Sequence, residues 1–486
     1  MVLTGCDGVH SVVGRWLGLG VVADSGRVAV RVLFVHPQGH GLKTETQQSL
    51  TSGVRAGFVP LDDKHTYWFL ICPSPSKGAG IAGLATALAL KRTGVESFLV
   101  LERAEELRTS GSALALFPNA GLALESLGIS HKLASIYAPF QKGYVTNVDN
   151  GVTQEINYSL FNGGAGFRPG VINRKALLKA LAEELPHNSI RFSSKLTAIE
   201  TKTHEGSSIA VIHMKDGTII KTKVLIGCDG VHSVVGRWLG LSEVVDSGRV
   251  AVRVLSVYPE GHGLKTDNQQ FVTSGIRAGF IPLDDKHIYW YLICPAPSKG
   301  TELETDPKET QREILENHAK NLPKKFKDVV ERSDFSTLSW APLKFRYPWQ
   351  VMFGNLNKEN VAVAGDAMHP MTPDLGQGGC TALEDAVVLG RHIGTSFIQN
   401  GGVIVPKEIP QVLSNYVEER RLRVSSLILG SYVAGWVQQR NSAVIKYLRD
   451  VFFYKYLGRI AAGAVCFDCG KLPSIHEDKG ELKKIK

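Results

Sequence analysis

The chain has 486 residues, of which 43% are hydrophobic and 21% are charged, and its mean hydropathy is −0.02. This composition excludes an intrinsically disordered chain, and 50 glycines with 21 prolines exclude a collagen-like repeat. Lysine and arginine exceed aspartate and glutamate by 55 − 46 = 9, a modest excess for this length. Basic charge gathers only in residues 479–486, so nucleic-acid binding is not expected.

The chain contains two copies of one segment. Residues 2–78 and 224–300 align without a gap, and 61 of the 77 positions are identical. Two long copies are too few for a stacked repeat fold, which needs three or more short units. We therefore interpret residues 1–77 as a partial duplicate of residues 223–299 and expect no independent function for it.

A glycine motif follows the first copy. The pattern GxGxxG is matched by Gly78-Ala79-Gly80-Ile81-Ala82-Gly83, which permits a tight turn, close approach of a pyrophosphate and close helix packing. An alanine-rich helix is predicted over residues 84–93, and a buried strand over residues 97–101 ends in Glu102. A carboxylate at this spacing accepts hydrogen bonds from ribose hydroxyls. The segment therefore predicts a dinucleotide site that includes Gly78, Gly80, Gly83 and Glu102.

The strand that should open this motif is missing from its expected place. Residues 73–77 read Pro-Ser-Pro-Ser-Lys, and proline lacks the backbone N–H that a central strand needs. The apolar run over residues 67–72 ends five residues too early and belongs to the duplicate. We predict that the duplicate displaces the first strand of the nucleotide-binding fold. The alternative is that residues 67–72 slide into its position.

Two further strand–turn segments carry acidic residues. The apolar residues 224–227 lead into Asp229, and residues 361–364 lead into a Gly-Asp turn. A glycine-rich turn over residues 373–379 then enters a helix, and such a helix N-terminus suits an anionic or polar group. The alternative is a plain connection in which the aspartate caps a helix or turn. The candidate binding residues of this second region are Gly365, Asp366, Gly376, Gln377, Gly378 and Gly379.

Between these two strand–turn segments, the residue pattern becomes typical of β-strands. Residues 249–254 and 271–276 alternate, and residues 289–293 form a β-branched and aromatic run. Alternation with Pro-Leu-Asp-Asp turns indicates an antiparallel sheet with one covered face. Three of its residues are candidates for lining a pocket, with core or surface positions as the alternative: Arg277, Trp290 and Tyr291.

Together these segments resemble the three fingerprints of the single-component, class A FAD-dependent monooxygenases, the family of p-hydroxybenzoate hydroxylase, salicylate hydroxylase and zeaxanthin epoxidase. The resemblance covers residues 78–470 and is closest to plant members. It implies an α/β fold with a Rossmann-like FAD-binding domain that contains a central parallel sheet. That domain would be discontinuous, over residues 78–240 and 350–470. A mixed or antiparallel substrate-domain sheet would be inserted over residues 241–349, and residues 471–486 would form a charged tail.

The resemblance also implies roles for candidate residues. The glycine motif would face the FAD pyrophosphate, and Arg174 matches an arginine that opens a helix over the FAD. Asp229 belongs to the segment that serves FAD and NAD(P)H, and Asp366 would hydrogen-bond the ribityl chain. Residues 376–379 would bring backbone N–H groups to the flavin edge. Arg237 stands one position later than the arginine of the family, which leaves its role open.

The implied reaction is FAD-dependent monooxygenation. NAD(P)H, a transient electron donor, reduces the bound FAD, O2 adds, and the resulting flavin hydroperoxide transfers one oxygen atom to a small aromatic or isoprenoid-like substrate. No catalytic side chain or metal ion is implied, and His369 is expected to have a structural or flavin-packing role. Two alternatives stay open: an FAD-binding oxidase or reductase without oxygenation, and an inactive duplication product that cannot hold FAD.

No signal peptide or transmembrane segment is readable, so a cytoplasmic protein with small-molecule partners is the default expectation. The apolar run over residues 424–437 has 14 residues, too few to span a bilayer, and peripheral membrane contact is the alternative. The seven cysteines are an odd number and predict no disulfide framework.

Overall fold

The computed structural model describes the chain in segments that fall into two compact units. One unit comprises residues 1–75 and 297–317, and the other comprises residues 76–296 and 318–486. The described residues are 3–5, 27–35, 47–51, 54–60, 65–73, 79–107, 113–158, 167–204, 206–273, 275–296, 307–439 and 464–473.

The described α-helices, in chain order, are α1 Ile81–Arg92, α2 Pro118–Ser126, α3 Ser130–Leu133, α4 Arg174–Glu183, α5 Val234–Trp238, α6 Pro307–Glu313, α7 Lys324–Glu331, α8 Pro348–Phe353, α9 Gly378–Gln399 and α10 Ile409–Gln439. One π-helix covers Ile314–His318, and two 3-10 turns cover Gly365–Ala367 and Pro373–Leu375. Among these described helices, none is both long enough and apolar enough to cross a membrane.

The described strands are β1 Leu3–Gly5, β2 Arg27–Val35, β3 Gln47–Thr51, β4 Val54–Pro60, β5 His65–Pro73, β6 Val100–Leu101, β7 Ala113–Leu116, β8 Tyr137–Pro139, β9 Lys142–Asn147, β10 Thr153–Asn157, β11 Gly170–Asn173, β12 Ile190–Arg191, β13 Leu196–His204, β14 Ser207–Met214, β15 Ile219–Thr222, β16 Leu225–Gly227, β17 Val245–Val257, β18 Asn268–Thr273, β19 Ile276–Pro282, β20 His287–Pro295, β21 Ser333–Phe345, β22 Asn357–Lys358 and β23 Val361–Val363.

The first unit contains a five-stranded antiparallel sheet in the order β1-β2-β5-β4-β3. In this sheet Arg27 on β2 pairs with Pro73 on β5, which repeats the pairing of Arg249 with Pro295 in the other copy. Strands β2 to β5 therefore keep the register of their counterparts, whereas β1 pairs with β2 although its counterpart β16 pairs in parallel with β23. Because β5 has β2 on one side and β4 on the other, residues 67–72 are used inside this sheet and do not open the nucleotide-binding fold.

The second unit holds two short pieces of parallel sheet. β6 pairs in parallel with β12, and β16 pairs in parallel with β23. The chain entering α1 lies beside the end of β6, because the Ala79 N–H donates to a Glu102 carboxylate oxygen at 2.7 Å. The same helix touches the turn after β23, since a Cβ on Gly365 would lie 2.7 Å from that of Ala82. β6 and β16 each have a single partner strand in the described part of the chain, so each has an edge at which a strand leading into α1 would pair.

The second unit also holds two three-stranded antiparallel sheets, β7-β11-β8 and β13-β14-β15, and a large mixed sheet. Its strand order is β10-β9-β18-β19-β20-β17-β21, and it is mixed because β9 and β18 run parallel. One face packs on α7, where the rings of Trp290 and Phe326 meet edge to face with centroids 5.8 Å apart. Trp290 is fully buried, so it takes the core position that was the alternative to pocket lining. Parallel sheet, helices and mixed sheet together confirm the predicted α/β fold class.

Helices α1 and α9 pack closely through small residues. A Cβ on Gly390 would lie 2.5 Å from the Cβ of Ala89, and one on Gly394 would lie 2.5 Å from the Cβ of Thr93. Near the other end, Gly365 separates Ala82 from the first turns of α9. The contacts advance along both helices in the same direction. The two helices are therefore parallel, and their N-termini lie at the same end.

A buried ion network ties α9 to α10. The Arg420 Nε donates to Asp385 at 2.7 Å, and its Nη2 lies 2.6 Å from a Glu384 oxygen. Asp385 also accepts from the Gly365 N–H at 2.8 Å and lies 2.6 Å from the His369 Nε2. Burial alone raises the pKa of Asp385, but its neighbours His369 and Arg420 outweigh this effect and hold that pKa well below its ordinary value. The network fixes the turn after β23 against α9.

We expect Arg420→Gln to lower the free energy of unfolding by about 3–5 kcal/mol, because it leaves buried carboxylate charge without its main partner. Urea denaturation at pH 7 measures this change. The control is Arg191→Gln, whose ion pair with Asp216 is 40% and 49% exposed and should cost less than about 1 kcal/mol. Equal losses in the two variants would contradict a stabilising role for the network.

A second prediction concerns the missing strand. Replacing residues 1–77 with a start methionine and six alternating valines and isoleucines should stabilise the second unit. Each buried backbone group that gains a partner contributes about 1–3 kcal/mol. The control carries six alternating glycines and serines in the same place. Thermal unfolding should show a higher midpoint for the apolar insert, and equal midpoints would mean that the sheet needs no strand there.

Candidate functional site

The glycine motif stands at the N-terminus of α1. The N-cap is Gly80, no side chain caps the helix, and its first turn has no acidic residue. A Cβ on Gly80 would have no atom within 4 Å, so open space faces this position. Gly83 is buried in the first turn, and Glu102 is 2% exposed beside the entering chain. Gly78 lies outside the described residues. An uncapped helix N-terminus beside open space suits a phosphate group.

The turn after β23 lies against this helix. Gly365 has a φ of +59°, which favours glycine, and a side chain there would collide with α1. Asp366 is exposed at this turn. Arg174, the first residue of α4, lies near it. Burial lowers the pKa of Arg174, whereas the nearby charge of Asp366 raises it. The structure thus brings two predicted residues, Asp366 and Arg174, into one neighbourhood.

The glycine-rich turn leads into α9. Gly376 adopts a left-handed φ of +65°, and Gly379 packs against a leucine side chain. Gly378 resembles Gly80, because a Cβ there would have no atom within 4 Å. Gln377 is 1% exposed and accepts a hydrogen bond from the Asn119 Nδ2 at 2.9 Å. Its buried Nε2 has no hydrogen-bond partner among the described residues. This end of α9 therefore offers free donors beside open space.

Asp229 caps the short helix α5. Its carboxylate accepts from the N–H groups of Val234 at 2.6 Å and Val235 at 3.2 Å. A Cβ on Gly236 would lie 3.3 Å from the carbonyl oxygen of Ala367, so α5 packs on the turn that carries Asp366. The following residue, Arg237, donates to a backbone carbonyl at 3.4 Å. The hydrogen bonds of Asp229 show that it caps α5. Contact between Asp229 and the cofactor stays a prediction.

Side chains of the large sheet contact the glycine-rich turn. Asp374 in that turn is bound by Arg249 at 2.8 Å and by Arg277 at 3.2 Å. Burial raises the pKa of Asp374, but these arginines outweigh it and lower the pKa. Arg277 also donates to Gln270 at 3.0 Å, and the Tyr291 hydroxyl donates to the same oxygen at 3.2 Å. Arg277 and Tyr291 therefore lie on the face of the sheet that meets the turn.

Sequence reasoning missed three residues of this region. Asn119 is fully buried and links the glycine-rich turn to α9 through Gln377 and Glu384. Arg249 and Asp374 join elements that are 125 residues apart. The alternation that places Arg249 on one face of β17 was visible in the sequence, but its partner was not.

Comparison with known proteins supports the relation that the sequence suggested. Residues 78–429 match the family described as FAD binding domain. The chain is 41% identical over 408 residues to Monooxygenase 2 of Arabidopsis thaliana, covering 81% of this chain and 97% of that protein. It is 33% identical over 399 residues to Monooxygenase 1 of the same plant, covering 81% and 98%.

Solved structures share the fold. Klebsiella pneumoniae HpxO complexed with FAD and uric acid superposes with a TM-score of 0.69 at 23% identity, covering 81% of this chain and 97% of that one. A salicylate hydroxylase substrate complex gives a TM-score of 0.60 at 20% identity, covering 82% and 99%. The family assignment rests on the match over residues 78–429 and on the two plant relatives, which are 41% and 33% identical. The chain belongs to the FAD binding domain family of flavoprotein monooxygenases.

Proposed function

We propose that this chain uses bound FAD, NAD(P)H and O2 to insert one oxygen atom into a small aromatic or isoprenoid-like organic substrate. One observation carries the proposal: two uncapped helix N-termini, those of α1 and α9, lie at the same end of the second unit. A dinucleotide with a pyrophosphate near its middle and an electron-accepting ring at one end needs two such places.

The pyrophosphate belongs at α1. Gly78, Gly80 and Gly83 let the backbone approach it, and the open Cβ position of Gly80 leaves the space that it needs. Glu102 is the residue for the adenosine ribose, because backbone N–H groups of Ala79 and Ala104 hold its carboxylate beside the motif at 2.7 and 2.9 Å. The backbone N–H donors at the N-terminus of α1 fit a pyrophosphate group.

The flavin belongs at α9. The turn from Gly376 to Gly379 offers backbone N–H groups, and the 22-residue helix behind it adds the positive end of its dipole. Both stabilise negative charge on a reduced flavin. The unpartnered Nε2 of Gln377 is one further donor. Asp366, at the turn between the two helix ends, is the residue for the ribityl hydroxyls, with Gly365 giving the turn its shape and Arg174 close by.

When bound, FAD takes electrons from NAD(P)H and activates O2 for transfer of one oxygen atom. The chain itself orients the substrate and excludes water. Asp374, held by Arg249 and Arg277, fastens the glycine-rich turn to the polar face of the large sheet. That contact closes one side of the site, where bulk water would divert the reduced cofactor to unproductive oxygen reduction. Asp229 supports the site through α5, and no side chain is assigned a catalytic role.

One observation favours a second outcome, a chain that cannot hold FAD. β6 and β16 each have one partner strand among the described residues, and the chain that enters α1 lies beside the end of β6. The glycine motif needs a fixed strand before it to hold its turn. Retention of FAD by the full-length protein separates the two outcomes.

The purified full-length protein should be yellow and should oxidise NAD(P)H faster when substrate is present. With ¹⁸O2, one labelled oxygen atom should enter the product, as mass spectrometry detects. Hydrogen peroxide as the sole oxygen product, with flavin retained, would mean an oxidase or reductase. A colourless protein, whose flavin returns when the apolar strand replaces residues 1–77, would mean an inactive duplication product.

We also expect Gly378→Val to weaken FAD binding at least about tenfold, which is about 1.4 kcal/mol. The new side chain occupies the open space at the start of α9, where its Cβ has no protein atom within 4 Å. Flavin fluorescence quenching measures the dissociation constant. Gln399→Val, at the exposed far end of the same helix, is the control and should bind FAD normally. Normal FAD affinity in the Gly378 variant would remove this helix end from the site.

A further inference from the structure

One edge of the duplicated sheet has the sequence of an interior strand. β3 is the copy of β18, because Gln47 of β3 and Gln269 of β18 each pair with a phenylalanine of the strand that follows. β18 has β9 on its other side, whereas β3 is an end strand with β4 as its one partner strand among the described residues. The duplication therefore places an interior strand at an edge.

Interior strands need no protection against pairing with further strands. Natural edge strands carry charged residues, proline or irregular pairing that prevents such contact. Among the described edge strands of five residues or more, β10 contains Glu155, β13 contains Lys202, and β21 contains Pro342 and breaks in its register. β3 reads Gln-Gln-Ser-Leu-Thr, with neither a charged residue nor a proline. Its edge is therefore open to another strand.

The backbone groups that face this edge follow from the other copy. The Val148 N–H, just after β9, donates to the Val272 carbonyl oxygen of β18 at 2.9 Å, so the backbone of Val272 faces away from β19. Leu50 is the residue of β3 that matches Val272, and alternation along the strand gives Gln48 the same direction. Gln48 and Leu50 thus present two N–H donors and two carbonyl acceptors to the edge.

A strand that pairs here must have an open side of its own. β9, which covers the matching edge in the other copy, lies between β10 and β18 and is paired on both sides. The edge strands β10, β13 and β21 carry the protective features described above. β3 of a second copy has the same open side and no charge, so it meets the first β3 without repulsion between like charges.

We propose that β3 pairs antiparallel with β3 of a second copy of this chain, which joins two five-stranded sheets into one continuous sheet. A twofold axis at Ser49 places Gln48 of each copy opposite Leu50 of the other, and each of these pairs exchanges two backbone hydrogen bonds. The same surface serves both copies, so the interface is self-complementary. β1, at the opposite end of the sheet, has only three residues and offers a further strand little to bind. The assembly therefore closes at two copies.

The full-length protein of 52.9 kDa should show a monomer–dimer equilibrium in analytical ultracentrifugation. Leu50→Pro removes an N–H that faces the edge, and it should raise the dissociation constant of the dimer at least about tenfold. Leu50→Ala is the matched control, because it keeps that N–H and shortens the same side chain. This control should stay within about threefold of the unaltered protein, and circular dichroism compares the strand content of the two variants.

Cross-linking gives a second measurement that does not depend on the folding of the proline variant. In the proposed register the two copies of residue 49 form a non-hydrogen-bonded pair with Cα atoms about 4.5 Å apart, which a disulfide can bridge. Ser49→Cys should therefore give a covalent dimer on mild oxidation. Gln47→Cys is the control, since the two copies of residue 47 would lie about 14 Å apart, too far for a disulfide.

A protein that stays monomeric at every concentration, or that assembles beyond two copies, would overturn the inference. The same holds for a dimer that Leu50→Pro leaves as tight as before, or for cross-linking at residue 47 that equals cross-linking at residue 49. Bound flavin and NAD(P)H oxidation do not enter these measurements. The inference and the proposed function are therefore tested independently.

Discussion

The close parallel packing of α1 on α9 is the constraint on which the candidate site depends. Glycines and alanines let the two helices approach until Cβ positions would collide, and the turn at Gly365 fits between their first turns. Two helix N-termini then lie together, each with open space at a glycine. The buried charges of Asp385 and Arg420 hold the second helix in this position. The polar binding region thus rests on an arrangement of small residues and one ion network.

The sequence was informative where function depends on local backbone. Gly365 and Gly376 adopt positive φ values, and Gly80 and Gly378 start helices beside open space, so each leaves a glycine signature that can be read without a structure. Glu102 was also readable, because the strand before it ends at a fixed distance from the motif. These signals predicted the fold class and the family.

Contacts between distant strands could not be predicted in the same way. Trp290 and Tyr291 are neighbours, and alternation shows that they lie on opposite faces, but not which face α7 covers. The partnership of Arg249 with Asp374 depends on how the large sheet lies over the glycine-rich turn. Such a contact follows from tertiary packing, and neither residue carries a local sign of it.

The duplicate illustrates the same division between local and distant determinants. Its strands β2 to β5 pair in the register of the other copy, because nearly the same residues form the same hairpins. Its position in the chain, however, uses β5 inside an antiparallel sheet at the point where a parallel strand should lead into α1. The residues that precede α1 in the sequence thus form a locally consistent antiparallel sheet, whereas the nucleotide-binding fold needs a parallel strand in that part of the sequence.

The central claim is that the N-termini of α1 and α9 form one FAD site. Hydrogen–deuterium exchange of the full-length protein with and without added FAD tests it most directly. FAD should slow exchange of the amides at residues 80–83 and 377–380 together, with the same concentration dependence. Protection of only one helix end, or of neither, would contradict the claim.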